Sequence, residues 1–339
     1  MPGRSQITPR LLHRLCYDVL LRGPKPAEMR SYVGADTEEI VQRLLQSREA
    51  MSAWFEEQLQ FFLLLDRFRP RGDSIEQLPR RLQRGQLDAR SAIGEILLST
   101  GFSLRNPGND TFVTVVLEQC LGLVVQDRAG KKTLEAGKKM YDGKKARFLG
   151  KEGRNQSDLI QAVLHDEQFT RHLLDRYHRH LLNTPLPKDA DIAEVHGDFT
   201  RFFPKLGEWM ASPEYQEALD QRRTKTERQF LRGLYVDLLE RVPDEQEMRN
   251  LRNAMQAMAD PAPLRTVLAK VILDSSKRRL PPYRKGEDQE FVRECFQRYL
   301  ARSPNQPELA AFTEVLASDG GEPIHVVRAL VGSLEYQTY

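Results

Sequence analysis

A helix broken by proline, with an acid four residues beyond the break, recurs four times along the 339 residues and constrains the fold more than any other feature. Tyr17, Leu20, Leu21, Pro24 and Glu28 form the first set, and Tyr177, Leu181, Leu182, Pro185 and Asp189 the second. Tyr235, Leu238, Leu239, Pro243 and Glu247 form the third, and Phe296, Tyr299, Leu300, Pro304 and Glu308 the fourth. An aromatic-aliphatic stripe at helical spacing predicts a helix with one buried face. Proline stops it, and an acid in the next turn sits where free backbone N–H groups point outward. Each set leads to an amphipathic helix ending in serine: Ser47, Ser212, Ser275 and Ser333. Two of these endings continue alike, as Pro213-Glu214-Tyr215-Gln216 and Leu334-Glu335-Tyr336-Gln337. The proline-to-serine spacing drifts, so the pattern predicts diverged copies of one helical unit rather than a rigid solenoid.

The last copy is the clearest. Phe291, Cys295, Phe296, Tyr299 and Leu300 predict a helix ending near Arg302. Asn305-Gln306-Pro307-Glu308 predicts a capped second helix running to about Ser318. A turn over Asp319 to Pro323 then leads to a third helix, Ile324 to Glu335, with Val327, Leu330 and Val331 inward.

In Phe291-Val292-Arg293, Arg302, Val327-Arg328-Ala329-Leu330 and Ser333-Leu334-Glu335-Tyr336, this unit resembles the repeat of phycobilisome linker proteins and related bacterial modules of unknown function. The rest of the chain is similar to planctomycete-type, often cytochrome-associated, all-helical families of unknown function. The matching stretches are LLHRLCYDVLLRGPKPAEM, NPGNDTFVTVVLEQCLGL, GKKMYDGKKARFLGKEGR and FTRHLLDRYHRHLL. The resemblance implies a role in holding larger assemblies together and brings no catalytic residues.

Composition agrees with a helical globular chain: 40% hydrophobic and 29% charged, with a formal net charge of +3. That charge permits acidic partners without requiring them. Cys16, Cys120 and Cys295 lie singly in apolar helical contexts, with no Cys-x-x-Cys, and are expected as buried reduced thiols. No signal peptide is evident before Arg14, and the apolar run Phe61 to Leu65 is too short to cross a bilayer. The expected location is cytoplasmic, although relatives of this type are often exported.

Along the chain, residues 1–65 are expected to hold the first repeat, ending in a helix whose Trp54, Phe55, Phe61 and Phe62 pack a core. Residues 66–168 are expected to form a helical insertion. Within it, Arg67 to Arg84 reads as an exposed basic linker, and its Arg71-Gly72-Asp73-Ser74 tetrad as a chance match to an adhesion motif. Leu87 to Thr100 and Thr111 to Val125 are expected as helices, the second entered through Asn106-Pro107-Gly108-Asn109. Residues 169–280 are expected to carry the second and third repeats. Leu280-Pro281-Pro282-Tyr283-Arg284-Lys285-Gly286 is expected as a linker before the final unit, 287–339.

Gly-Lys recurs at Gly130, Gly137, Gly143 and Gly150, within 127–154, and the segment is expected as a basic loop. No frame gives the glycine, four residues and Gly-Lys-Ser/Thr of a phosphate-binding loop. The lysines with Tyr141 and Phe148 could pair phosphates and stack bases. Asp127, Glu135, Asp142 and Glu152 dilute that charge, so a solvated insertion is the stronger reading. His165, His172, His178 and His180 lie seven, six and two residues apart, not the three or four that would pair ligands on one helix face.

The sequence therefore predicts an all-α protein of a dozen or more helices in four diverged helix-Pro-helix-helix repeats with a basic insertion. The expected function is a non-enzymatic scaffold or linker binding other subunits of a larger protein assembly. The alternatives are a nucleic-acid-binding protein using the lysine-rich segment, or a metal-dependent enzyme at the histidines. Expected partner-binding residues are Arg293, Arg298, Arg302, Arg328, Tyr336 and Tyr339, with Lys131, Lys132, Lys138, Lys139, Lys144 and Lys145. No catalytic, cofactor or metal residue is assigned.

Overall fold

A computed structural model describes residues 5–64, 73–258, 260 and 262–339. The chain is all-α, with one two-stranded hairpin among the described residues. It divides into two compact units, residues 1–44 with 219–339 and residues 45–218. In chain order the helices are α1 (Pro9–Leu20), α2 (Pro26–Tyr32), α3 (Thr37–Leu45), α4 (Arg48–Leu63), α5 (Asp73–Glu76), α6 (Leu78–Gln83) and α7 (Ala89–Leu97). Then come α8 (Thr100–Arg105), α9 (Gly108–Leu121), α10 (Arg128–Tyr141), β1 (Ala146–Phe148), β2 (Lys151–Gly153), α11 (Gln156–Leu164), α12 (Glu167–Leu182) and α13 (Ala193–Gly197). The remainder are α14 (Phe202–Ala211), α15 (Pro213–Glu217), α16 (Glu227–Leu239), α17 (Glu245–Gln256), α18 (Ala262–Leu273), α19 (Asp288–Leu300), α20 (Gln306–Ala317) and α21 (Pro323–Val331).

The discontinuous unit contains three helix triplets, α1–α3, α16–α18 and α19–α21. Each has the same first corner. The leading helix ends on a residue in the left-handed region: Leu21 at φ 57°, Glu240 at 55° and Ala301 at 57°. An arginine follows, and its guanidinium forks onto the glutamate six residues later. The two bonds are 2.7 and 2.8 Å for Arg22–Glu28, 2.7 and 2.7 Å for Arg241–Glu247, and 2.7 and 2.7 Å for Arg302–Glu308. One glutamate oxygen also accepts the N-cap amide of the next helix, from Lys25 at 2.7 Å, Asp244 at 2.8 Å and Asn305 at 2.8 Å. The arginine closes the loop on the carbonyl just after it, Gly23, Val242 or Ser303. A capping box and a bidentate ion pair thus share one carboxylate, which satisfies a free helix-end N–H and fixes the corner.

The second sequence set departs from this pattern. Asn183 does end α12 in the left-handed region, at φ 59°. Thr184 stands where the other corners have arginine, and residues 185–192 form no helix, contrary to expectation. Without a guanidinium, Asp189 cannot be clamped; the chain is held instead by His178 Nδ1 on the Thr184 carbonyl, 2.7 Å, and by the Leu186 amide donating to Asp175, 2.8 Å. The terminal serines also differ from the reading as helix ends. Ser47, Ser212 and Ser333 accept from the amides of Ala50, Tyr215 and Tyr336, so they begin the following turn of helix.

The core of the discontinuous unit joins the last two triplets: Phe230, Leu234 and Leu238 of α16 meet Ile272 and Leu273 of α18, Phe291, Cys295 and Phe296 of α19, and Val327 and Leu330 of α21. Each such side chain contributes about 1.5–3 kcal/mol on burial. Leu280 and Tyr283 of the proline-rich linker lie against the same core, and the Tyr283 ring packs edge-on to Phe291 at 5.2 Å.

In the 45–218 unit, Phe62, Phe102, Phe112, Phe169 and Phe202 are fully buried, and Trp54 and Phe55 of α4 are also inside; of the predicted aromatic stripe only Phe61 is half-buried rather than in the core. The expected linker over Arg67 to Arg84 is corrected in part. Residues 67–72, including Arg71 and Gly72 of the Arg-Gly-Asp-Ser tetrad, lie outside the described residues, whereas α6 buries Leu78 and Leu82 and packs on α4. The expected basic loop is also structured, as α10 and the β1–β2 hairpin. Gly137 lets α10 approach α9, since a Cβ there would lie 2.6 Å from Val113 Cγ1. Leu149 and Gly150, at φ 47° and 77°, form the two-residue hairpin turn. The glycines serve packing and turning while the lysines between them face solvent.

Glu247 tests the corner most simply. Its hydrogen bonds from Arg241 hold its carboxyl down at about 2, so the stability it adds is complete above about pH 4.5 and is lost as pH falls toward 2. Glu247→Gln is expected to cost about 1 kcal/mol at pH 7, a small figure because Arg241 is 43% exposed and water screens the pair. Urea melts should show that difference vanishing by about pH 2.

Candidate functional site

A cluster of buried polar side chains lies within the discontinuous unit, where α1, the start of α16, the end of α19 and the 335–339 segment meet. Thr8 caps α1 and Pro9 occupies its first turn, which sets Arg10, His13, Arg14, Tyr17 and Asp18 along one helix. Residues 223–225 pair with 337–339. Arg223 and Tyr339 exchange backbone hydrogen bonds of 2.9 Å each way, and the Lys225 amide donates to Gln337 at 2.8 Å. Thr226 then starts α16 with a capping box to Gln229, fixing Lys225 immediately before a rigid helix.

Lys225 is only 3% exposed. Its nitrogen lies 3.9 Å from the Tyr336 ring centre and 4.7 Å from that of Tyr17. Cation–π contact replaces part of the lost hydration. Burial nonetheless pulls its pKa from 10.5 to about 7, against the opposing pull of Asp237. His13 is driven down to about 3, by burial first and then by Lys225, and is neutral at ordinary pH.

Two buried aspartates anchor the surroundings, each four residues before a clamp arginine. Asp18 accepts from Arg14 at 3.2 Å, Arg223 at 3.3 Å and the Tyr339 hydroxyl at 3.0 Å. Asp237 accepts from the Tyr336 hydroxyl at 2.7 Å, and burial raises its pKa. The Tyr17 hydroxyl sits in a notch on α16, where a Cβ on Gly233 would lie 2.4 Å from it.

These elements enclose a cavity of about 40 Å³ lined by Arg10, His13, Arg14, Tyr17, Arg222, Lys225 and Tyr299, among others. Sequence reasoning missed it because its residues lie in four separate stretches, 10–17, 219–225, 299–301 and 338–339, and match no spacing motif. The one signal available was the aspartate four residues ahead of Arg22 and Arg241, a charge on an otherwise apolar helix face.

Several residues expected at a partner surface are used internally. Tyr336 is fully buried, and Tyr339 is tied to Asp18 and to Gln229. Arg302 serves Glu308 and Glu335, Arg298 donates to the Asp237 carbonyl at 2.7 Å, and Arg328 pairs with Asp274 at 2.8 Å. Arg293 is exposed, bonded only along its own helix to Gln289 and Glu290. Of the lysines, Lys131, Lys132, Lys139 and Lys144 are exposed, Lys138 pairs with Asp110 and Glu135, and Lys145 pairs with Glu152.

Among the described residues no three His, Cys, Asp or Glu side chains converge as metal ligands would. His165 bonds its own helix at Gln161, His172 lies against Gly122, and His178 holds Thr184. Cys16, Cys120 and Cys295 are buried thiols, and burial pushes the Cys120 thiol up to about 12. No described helix is long and apolar enough to cross a membrane. No protein-family model and no curated protein matches this chain.

Lys225→Met removes a buried cation while leaving the Tyr336–Asp237 bond in place. The folded state holds this lysine's proton less tightly than the unfolded state does, so its destabilising effect is complete below about pH 7 and fades as pH rises toward 10.5. The variant is expected to be more stable than wild type at pH 6, with the advantage shrinking by pH 10, as measured by urea melts across that range.

Proposed function

We propose that this chain is a non-enzymatic scaffold or linker that binds other subunits of a larger protein assembly. The observation that carries the reading is α18, which is apolar on both sides. Arg265, Ala269, Ile272 and Leu273 face the core, while Val267 and Val271, one turn apart, are 52% and 60% exposed. An exposed apolar pair on an otherwise packed helix offers about 1.5–3 kcal/mol per side chain to whatever covers it. Beyond Asp274, which pairs with Arg328, and two serines come the exposed Lys277, Arg278 and Arg279, so the surface best suits an acidic protein with an apolar centre. The resemblance of residues 291–336 to phycobilisome linker repeats supports the same reading.

The discriminating experiment is cross-linking and co-purification of the tagged chain from its native cells, with stoichiometry measured for whatever protein is retained. A defined partner is expected to be lost from Val267→Asp/Val271→Asp, whose circular dichroism and melting should match wild type because both sites face solvent. Retention of the partner by that variant, or a wild-type chain that stays monomeric and alone, would contradict the proposal.

A further inference from the structure

We propose that the cavity between α1, Lys225 and the end of α19 is a binding site for one small oxyanion, a sulfate- or phosphate-like group. The inference is independent of the assembly reading, since it concerns another part of the unit. Arg10, Arg14, Arg222 and Lys225 all line the cavity, and among its described lining residues none bears a side-chain carboxylate. Each of the three arginines also holds one neighbouring acid, Asp220 on Arg10, Asp18 on Arg14 and Glu335 on Arg222, which leaves Lys225 as the lining cation without an ion pair of this kind.

The second observation is a set of unmet polar groups on the same lining residues. Arg14 Nη2, His13 Nε2 and Tyr299 Oη are buried without a hydrogen-bond partner, and the Lys225 ammonium lies over the Tyr17 and Tyr336 rings. Donors buried unpaired are costly, and several around one hollow call for a shared acceptor. Water could fill about 40 Å³ with roughly three molecules but would bring no charge. A tetrahedral oxyanion presents several acceptor oxygens in that space and meets guanidinium and ammonium donors with charge-assisted bonds. The exposed Arg10 and Arg222 lie at the solvent side and Lys225 at the buried end, which gives an entry direction.

Binding should also take up a proton. The charged and titratable groups around Lys225 are Asp237, Arg265, His13, Tyr17 and Tyr336. His13 stays neutral, and Asp237 alone offsets the charge. An anion placed beside Lys225 favours its protonated form, so affinity should rise as pH falls through about 7. Sulfate is the suitable probe because its own charge is constant there.

The test is isothermal titration of the full chain with sulfate at fixed ionic strength, with chloride as the control. Saturable one-to-one binding is expected, tighter at pH 6.5 than at pH 8. It should weaken at least tenfold in Lys225→Met and severalfold in Arg10→Ala and Arg222→Ala. These last two sites are exposed, so they report even if Lys225→Met misfolds. Phenyl phosphate is the second arm: tighter binding than inorganic phosphate shows that the group arrives on a larger ligand, and equal or weaker binding shows a free ion. No saturable heat with sulfate, equal heat with chloride, or unchanged affinity in all three variants would overturn the site.

Discussion

An arginine fork closed on a glutamate, placed one residue after a left-handed helix end, is the contact from which the rest of the discontinuous unit follows. At each fork three constraints meet on one carboxylate: two guanidinium bonds and one backbone amide. A lysine would supply charge without the planar pair of donors and would leave the corner free to swing. The left-handed residue is leucine, glutamate or alanine rather than glycine. Such a residue costs about 1 kcal/mol or more in that conformation, and the clamp offsets it. Each of the three triplets of the unit has one corner built this way, and the buried core packs the last two triplets together.

The clamp also shapes the cavity. Tyr299, Leu300 and Ala301 line it, and they are the last residues before Arg302 turns the chain. Glu335 joins Arg302 to Arg222, so the third corner is coupled to the exposed side of the cavity. On the far side Asp18 and Asp237 hold the two C-terminal tyrosines by their hydroxyls, and those rings bound the space around Lys225 and Tyr17. A buried lysine among tyrosines and arginines is poor design for stability alone, since an apolar side chain of similar volume packs without desolvating a charge. Its retention beside several unmet donors is what gives the cavity a chemical character.

The helical fold was legible because its signals are local. Alternating stripes, proline breaks and acids in first turns each act within a few residues, and the first, third and fourth sets reappear as triplets with Glu28, Glu247 and Glu308 in their corners. The arginines of those corners stood in plain view at 22, 241 and 302, and their absence at Thr184 marks the set that does not fold the same way. The segment 127–154 misled for the opposite reason. Glycine and lysine lower helix propensity and apolarity on average, yet Gly137 is placed by its close approach to Val113 and Gly150 by a tight turn. Likewise Tyr336 reads as a surface aromatic until Asp237, ninety-nine residues upstream, is found under its hydroxyl. Contacts of that separation leave no periodicity to read.

The proposed role, a part that presents surfaces to other subunits, rests on corners fixed by salt-linked caps and on an α18 whose outer face is apolar. That account stands or falls on whether the three corners are rigid in solution. Amide hydrogen exchange at Lys25, Asp244 and Asn305 measures this directly, because each N–H donates to a clamp glutamate. The account predicts slow exchange at all three in the wild type, and fast exchange at Asn305 alone in Arg302→Lys. Fast exchange at all three in the wild type, or an Asn305 amide indifferent to the loss of its fork, would contradict it.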